Sequence, residues 1–271
     1  MKPLLQDARH YQMIFLLSFL TYGYFALDWG IEGHQILIIF ISGLATHSVF
    51  AWRYKLSLDS YKSVLISCTS LSILLRADQT WVYAVAAILA VSAKFIFRFQ
   101  QRHFINPANA GIILCILLTG KAWLNTGQWG SQALWIFLLG SMGFIVTGTV
   151  KRVDVALSFF FSFVLLQYAR TVLYLHWPID HLLHQFANGS MILFTFFMIT
   201  DPVSTPSHRY VRIGWGILVA ITSFILSNFY YLSTAPLWSL FIYSMATPIL
   251  NYYFPATAFR WHSKSKQLIT S

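Results

Sequence analysis

The chain has 271 residues, of which 57% are hydrophobic and only 10% charged. A soluble domain carries about a quarter charged residues, so a soluble fold is excluded and an integral membrane protein is indicated. The formal net charge of +10 does not point to nucleic acid, because the basic residues are scattered through short loops instead of being gathered on one face.

A membrane-spanning helix needs about 20 mainly apolar residues. In chain order the apolar runs predict ten spans, at about 11–27, 34–52, 61–75, 80–97, 106–119, 132–148, 154–175, 183–200, 211–231 and 235–254. The first run continues without a small-residue cleavage pattern and reads as a retained span. The third and fifth runs are short, which fits half-helices or helices shielded inside a bundle. No loop is long enough for a soluble catalytic domain, so residues 1–271 are expected to form one polytopic membrane domain.

Ten crossings put both termini on one side. With the N terminus inside, the inner segments hold fourteen of the 18 Lys and Arg residues, and the outer loops hold Arg76 and Lys121. Cytoplasmic loops carry such an excess, so both termini of a multi-pass protein are expected to be cytoplasmic. Trp29, Trp123, Trp129 and Trp177 fall in the outer loops and fit an interfacial aromatic belt. Cys68 and Cys115 sit inside apolar runs without a CxxC partner and read as buried hydrophobes. Two halves of five spans are conceivable, but no sequence echo links them.

Polar residues inside a span are costly and mark the bundle interior. The eighth span carries His184, Asn188, Gly189 and Ser190. At helical spacing His181, His184, Asn188, Met191, Thr195 and Met198 share one stripe, expected to face protein. Helix packing with one interhelical hydrogen bond and a ligand site both account for it. Asp201 and Pro202, followed by Ser204, Thr205 and Pro206, stop that helix. They form either a plain turn or a polar pocket in which Asp201 faces Arg209 and Arg212.

Lys94 lies one turn from the end of the fourth span, where it either snorkels to the interface or supplies a cation to a buried anion. Asn106, Pro107 and Asn109 open the fifth span, with Asn106 as N-cap and Pro107 at the first helical position. A helix N terminus at that depth offers N–H groups to an anion. His34 and His47 share the second span without the matching pair that haem ligation requires. His176, His181 and His184 have only Asp180 nearby, so no metal site is assigned.

Three motifs then carry a resemblance: Lys94 followed by FINPANAG at 104–111, NGSMILFTFFMITDPVSTP at 188–206, and ATPILNYYF at 246–254. From about residue 59 onward the chain resembles the membrane subunit family shared by the D subunit of the Rnf electron transport complex and the B subunit of the sodium-pumping NADH:quinone oxidoreductase. The resemblance implies a ten-helix bundle with urea-channel-like architecture and short or broken helices, holding flavins and passing electrons between membrane partners. Flavinylated members attach FMN through its phosphate to a Thr in a Ser-Gly-Ala-Thr motif. The equivalent residues here are Asn188, Gly189, Ser190 and Met191, so Met191 replaces the acceptor. A thioether has no hydroxyl to form the phosphoester.

The leading expectation is therefore a redox subunit that binds FMN or riboflavin non-covalently and works with other membrane redox subunits or flavoprotein and iron–sulfur partners. Lys94, Asn106, Pro107, Asn109, His184, Asn188, Gly189, Ser190, Met191, Asp201, Ser204 and Thr205 are the candidate cofactor-binding residues. A small-solute or ion transporter on the same scaffold, or a stand-alone member serving a biosynthetic pathway, are the alternatives.

Overall fold

The computed structural model describes residues 7–27, 29–100, 102–125, 133–186 and 189–259. Helices dominate: α1 (Ala8–Phe25), α2 (Gly33–Tyr54), α3 (Tyr61–Leu74), α4 (Thr80–Ile96), α5 (Pro107–Thr119), α6 (Ala133–Thr149), α7 (Val153–Tyr168), α8 (Ile179–Phe186), α9 (Gly189–Leu193), α10 (Arg209–Phe229) and α11 (Ala235–Tyr253). Two π-helical turns, Ala169–Tyr174 and Phe194–Met198, extend α7 and α9. The all-α class expected from the composition is observed. Gly33–Tyr54, Val153–Tyr174 and Arg209–Phe229 are each long and apolar enough to cross a membrane.

The short third and fifth segments are shielded, as one of the two sequence readings had it. Nine of the 14 residues of α3 are buried, and from Pro107 to Ile113 every residue of α5 is buried. Neither helix is long enough to span lipid by itself at about 1.5 Å per residue, and both are wrapped by longer ones. Asn106 caps α5 through its side chain, which accepts from the Asn109 N–H at 3.1 Å, with Pro107 in the first turn. Gly120, at φ +61, closes the helix in the left-handed region that a side chain disfavours.

The two halves of the bundle share one packing pattern although their sequences do not echo. In the first, α3 packs on α1 and α2, α4 on α2, and α5 on α4; in the second, the eighth segment packs on α6 and α7, α10 on α7, and α11 on α10. Small residues make the closest approaches. A Cβ on Gly111 of α5 would meet Ala90 Cβ at 2.6 Å and the Ala86 carbonyl at 2.8 Å on α4, and one on Gly216 of α10 would meet Ser158 Oγ of α7 at 2.5 Å. α5 also contacts α11 and α1 contacts α6, which joins the halves.

Four short strands, two of three residues and two of two, sit at the helix ends. β1 (Leu75–Ala77) pairs antiparallel with β4 (Ala122–Leu124), Leu75 opposite Leu124. β2 (Arg98–Phe99) and β3 (Arg102–His103) form a second antiparallel pair between α4 and α5.

Two expectations are corrected. The eighth span is not α-helical throughout to residue 200: a π-turn, Phe194–Met198, follows α9. Its stripe does not face protein along its whole length, since His181 and His184 are exposed whereas Met191, Thr195 and Met198 are buried. Trp29 does not belong to an interfacial belt either. It is buried, edge-on to Phe19 at 5.4 Å and under Gly23, whereas Trp123 and Trp177 are about half exposed at 48% and 46%; Trp129 lies outside the described residues. Cys68 and Cys115 are free and buried.

Candidate functional site

A cleft opens where the two halves meet, at the end of the bundle that carries Asp201. α1 contributes Arg9 and Gln12, and α3 contributes Ser63, Ile66, Ser67 and Ser70. His103, Asn106 and Pro107 reach it from β3 and the start of α5; Val146 and Val150 come from α6 and the turn after it. The eighth segment closes the far wall with Phe196, Phe197, Thr200, Asp201, Pro202 and Val203. Serines at 63, 67 and 70 fall on one helical face, which is why a Ser-rich helix can present a polar wall. Ser67 and Ser70 turn their hydroxyls back to the carbonyls of Ser63 and Ile66.

The floor is a turn, residues 200–207, that both halves grip. Asp201 Oδ1 accepts from the Val203 N–H at 3.1 Å, and Oδ2 accepts from Ser204 Oγ at 3.1 Å with His103 Nε2 at 3.5 Å. Burial raises the Asp201 carboxyl, but the His103 hydrogen bond and charge, with the Val203 and Ser204 donors, outweigh it and hold the group below the usual carboxylate range. Arg102 donates to the carbonyls of Pro202 and Val203 at 3.3 and 3.2 Å and to Ser207 Oγ. Asn106 Nδ2 donates to the Met198 carbonyl at 3.3 Å. From the second half, Arg152 donates to Pro202 O and to Thr205 Oγ1, and Asn251 of α11 accepts from the Ser207 N–H at 2.8 Å.

Two ion-pair groups brace this end. Arg212 forms a two-pronged pair with Asp154 and also donates to the carbonyls of Pro206 and Ser207. Arg9 bridges Asp7 and Asp59, with Lys62 on the same two carboxylates. Burial raises the Asp7 carboxyl, and the hydrogen bonds from Arg9 bring it down to about 2. Burial, then repulsion from Arg212, pulls Arg152 down to about 10, so it stays charged at neutral pH.

The candidate residues separate into groups. Asn106, Pro107 and Asp201 line the cleft, and Ser204 and Thr205 hold its floor. Asn109 lies one turn up α5, fully buried, with neither side-chain amide atom partnered among the described residues. Lys94 is not on the wall; its Nζ donates to Ser63 Oγ at 2.8 Å from behind. His184 is exposed on α8, Gly189 opens α9, Ser190 is half-buried and Met191 is buried in the core. His184, Ser190 and Met191 do not line the cleft. Asn188 lies outside the described residues.

The expected partners of Asp201 also differ. Arg212 and Arg209 turn to Asp154, and His103 takes their place. His47 is buried, its Nε2 2.9 Å from Ser60 Oγ, while His34 sits beside Glu32. Among the described residues no group of three His, Cys, Asp or Glu stands close enough to hold a metal ion. Sequence reading passed over Ser63, His103, Arg152 and Asn251, because each looks like an ordinary loop or helix-end residue until the fold brings it to the turn.

The lining combines apolar faces with polar edges. Phe196, Phe197, Ile66 and Val146 offer apolar faces, and Asn106, Ser63, Ser67 and Thr200 offer polar edges. The cavity volume is about 60 Å³, well below the roughly 300–1,000 Å³ of ligand pockets, so a ring enters only as side chains part.

The model of the NQR2, RnfD, RnfE family matches residues 117–260, from the end of α5 through α11. The chain belongs to this family. It is a family of membrane subunits of Rnf and Nqr electron-transport complexes, and with its apolar helices the chain is a membrane protein. Two of the three motifs, those at 188–206 and 246–254, lie inside the matched stretch; Lys94 and FINPANAG lie before it. No individual curated protein matches the chain.

Proposed function

We propose that this family member is a membrane subunit of a flavin-dependent electron-transport system, with FMN or riboflavin held non-covalently in the cleft. The observation that carries the reading is convergence: Asn106 and Pro107 from one motif and Asp201, Pro202 and Val203 from another line the same cleft although about a hundred residues separate them. A bound flavin would supply one- and two-electron transfer. Asn106, Ser63 and Thr200 would hold its polar edge, Phe196 and Phe197 would flank its faces, and the gripped turn keeps the wall in place. Met191 has no hydroxyl for a phosphoester, so attachment is by contact alone.

The same reading places ten crossings in the bacterial inner membrane with both termini cytoplasmic, beside other membrane redox subunits or flavoprotein and iron–sulfur partners. Absorption and fluorescence spectra of detergent-purified protein, followed by denaturation and in-gel fluorescence, test it. Flavin released on denaturation is expected; well-folded protein without flavin after incubation with riboflavin and FMN sinks the reading.

A second reading, passage of a small solute or ion, draws on a different observation. Asn109, Thr195, Ser244 and Thr247 are buried on α5, the π-turn and α11 with side-chain atoms that find no partner among the described residues, and π-turns gather at functional sites. Uptake into proteoliposomes lost on Thr195→Val, with no flavin present, would favour it.

A further inference from the structure

We propose that Lys94 is a positioning residue that acts through Ser63, aiming a polarised hydroxyl at a ligand that carries negative charge or gains it on reduction. The inference rests on the flavin reading and names the charge state that the cleft prefers.

Ser63 differs from the other hydroxyls of α3. Ser67, Thr69, Ser70 and Ser72 each donate to the carbonyl four residues earlier. Ser63 has no such bond; its Oγ accepts from Lys94 Nζ at 2.8 Å. An ammonium has only protons to give, so it occupies a lone pair of Ser63 and leaves the Ser63 proton to donate elsewhere. Among the described residues nothing accepts that proton, and Ser63 lines the cleft.

Lys94 itself is placed for this role. It lies in the last turn of an apolar helix, and among the described residues no carboxylate comes within 4.0 Å of its Nζ. Of the charged groups that act on it, Asp201 attracts from the far wall, whereas Arg9 of α1 and Arg98 after α4 repel; Cys68 of α3 and His47 of α2 complete its surroundings. Asp201 is already engaged by three donors. A cation near hydrocarbon without an adjacent counter-charge is costly, and a hydroxyl backed by it is a charge-assisted donor. The cleft is therefore polarised, with a donor wall at Ser63 and an acceptor wall at Asp201.

During reduction the electron comes from a partner redox subunit, and Lys94 and Ser63 keep their protons. Their part is to stabilise the added charge.

The test is a spectroelectrochemical titration, at fixed pH, of flavin bound to the full chain in detergent. Lys94→Gln and Ser63→Ala should each cost about tenfold in preference for the reduced over the oxidised form, about 59 mV more negative for one electron. Lys94→Arg should retain most of the wild-type potential. Unchanged potentials in Lys94→Gln and Ser63→Ala at full flavin content overturn the inference and leave the flavin reading standing. Wild-type protein that takes up neither riboflavin nor FMN overturns both.

Discussion

The two ends of α3 face opposite ends of the bundle, and the chain secures them differently. At the far end Arg76 is buried and donates to three main-chain carbonyls, those of Ser72, Leu75 and Trp29, while Asn125 adds bonds to Trp29 and Ile73 and the β1–β4 ladder covers the rest. The final carbonyls of a helix have no partner of their own, and one local cation and a ladder satisfy them. At the near end the helix starts beside an open cleft, and the opposing turn is held by Arg102, His103, Asn106, Arg152 and Asn251 from four parts of the chain. The far end is sealed from within one half, and the near end is held open by both.

That contrast can be broken at several points. The largest loss is expected from Asp154→Ala, which strands the buried Arg212 without its carboxylate and should cost about 3–5 kcal/mol, seen as a lower Tm in detergent. Gly111→Ala forces a methyl into Ala90 and the Ala86 carbonyl and should cost about 1–3 kcal/mol, measured by the same melt. Arg76→Ala leaves buried carbonyls unsatisfied and should cost about 1–3 kcal/mol; because it lies at the sealed end, flavin content per folded protein should not change.

A pH titration sharpens the comparison. Asp201 has a depressed pKa in the folded state, so the stability it supplies is complete above its unfolded pKa and is lost as pH falls through the folded value. Asp201→Asn should flatten the acid limb of a Tm–pH curve, and Arg76→Ala should leave the shape of that limb intact. His184→Ala, exposed on α8, should change stability by less than about 0.5 kcal/mol.

Much of this was legible in the sequence. Apolar run length located the helical segments, since burial in a bundle and burial in lipid select the same residues. The Asn106 cap and Pro107 start were readable because their rule is local. The π-turn at Phe194–Met198 was not, because an apolar run reads alike whether its turns are α- or π-helical. His103 as partner of Asp201 was hidden for another reason: the pair joins residues from opposite halves, and nothing local marks either for the other. Lys94 was found by its position in an apolar run, but its partner Ser63 is one serine among several in α3.

The grip on the turn also sets an order of assembly. Arg102 bonds Pro202 across 100 residues of chain, so the hairpin before α5 is finished long before the segment it holds has been made. At about 5–20 residues per second the interval is on the order of 5–20 s. Over that time Arg102, His103 and Asn106 wait without their partners, and insertion of the first half proceeds without them. Docking of the turn is then a late checkpoint, one that a truncated or mis-inserted second half fails to pass.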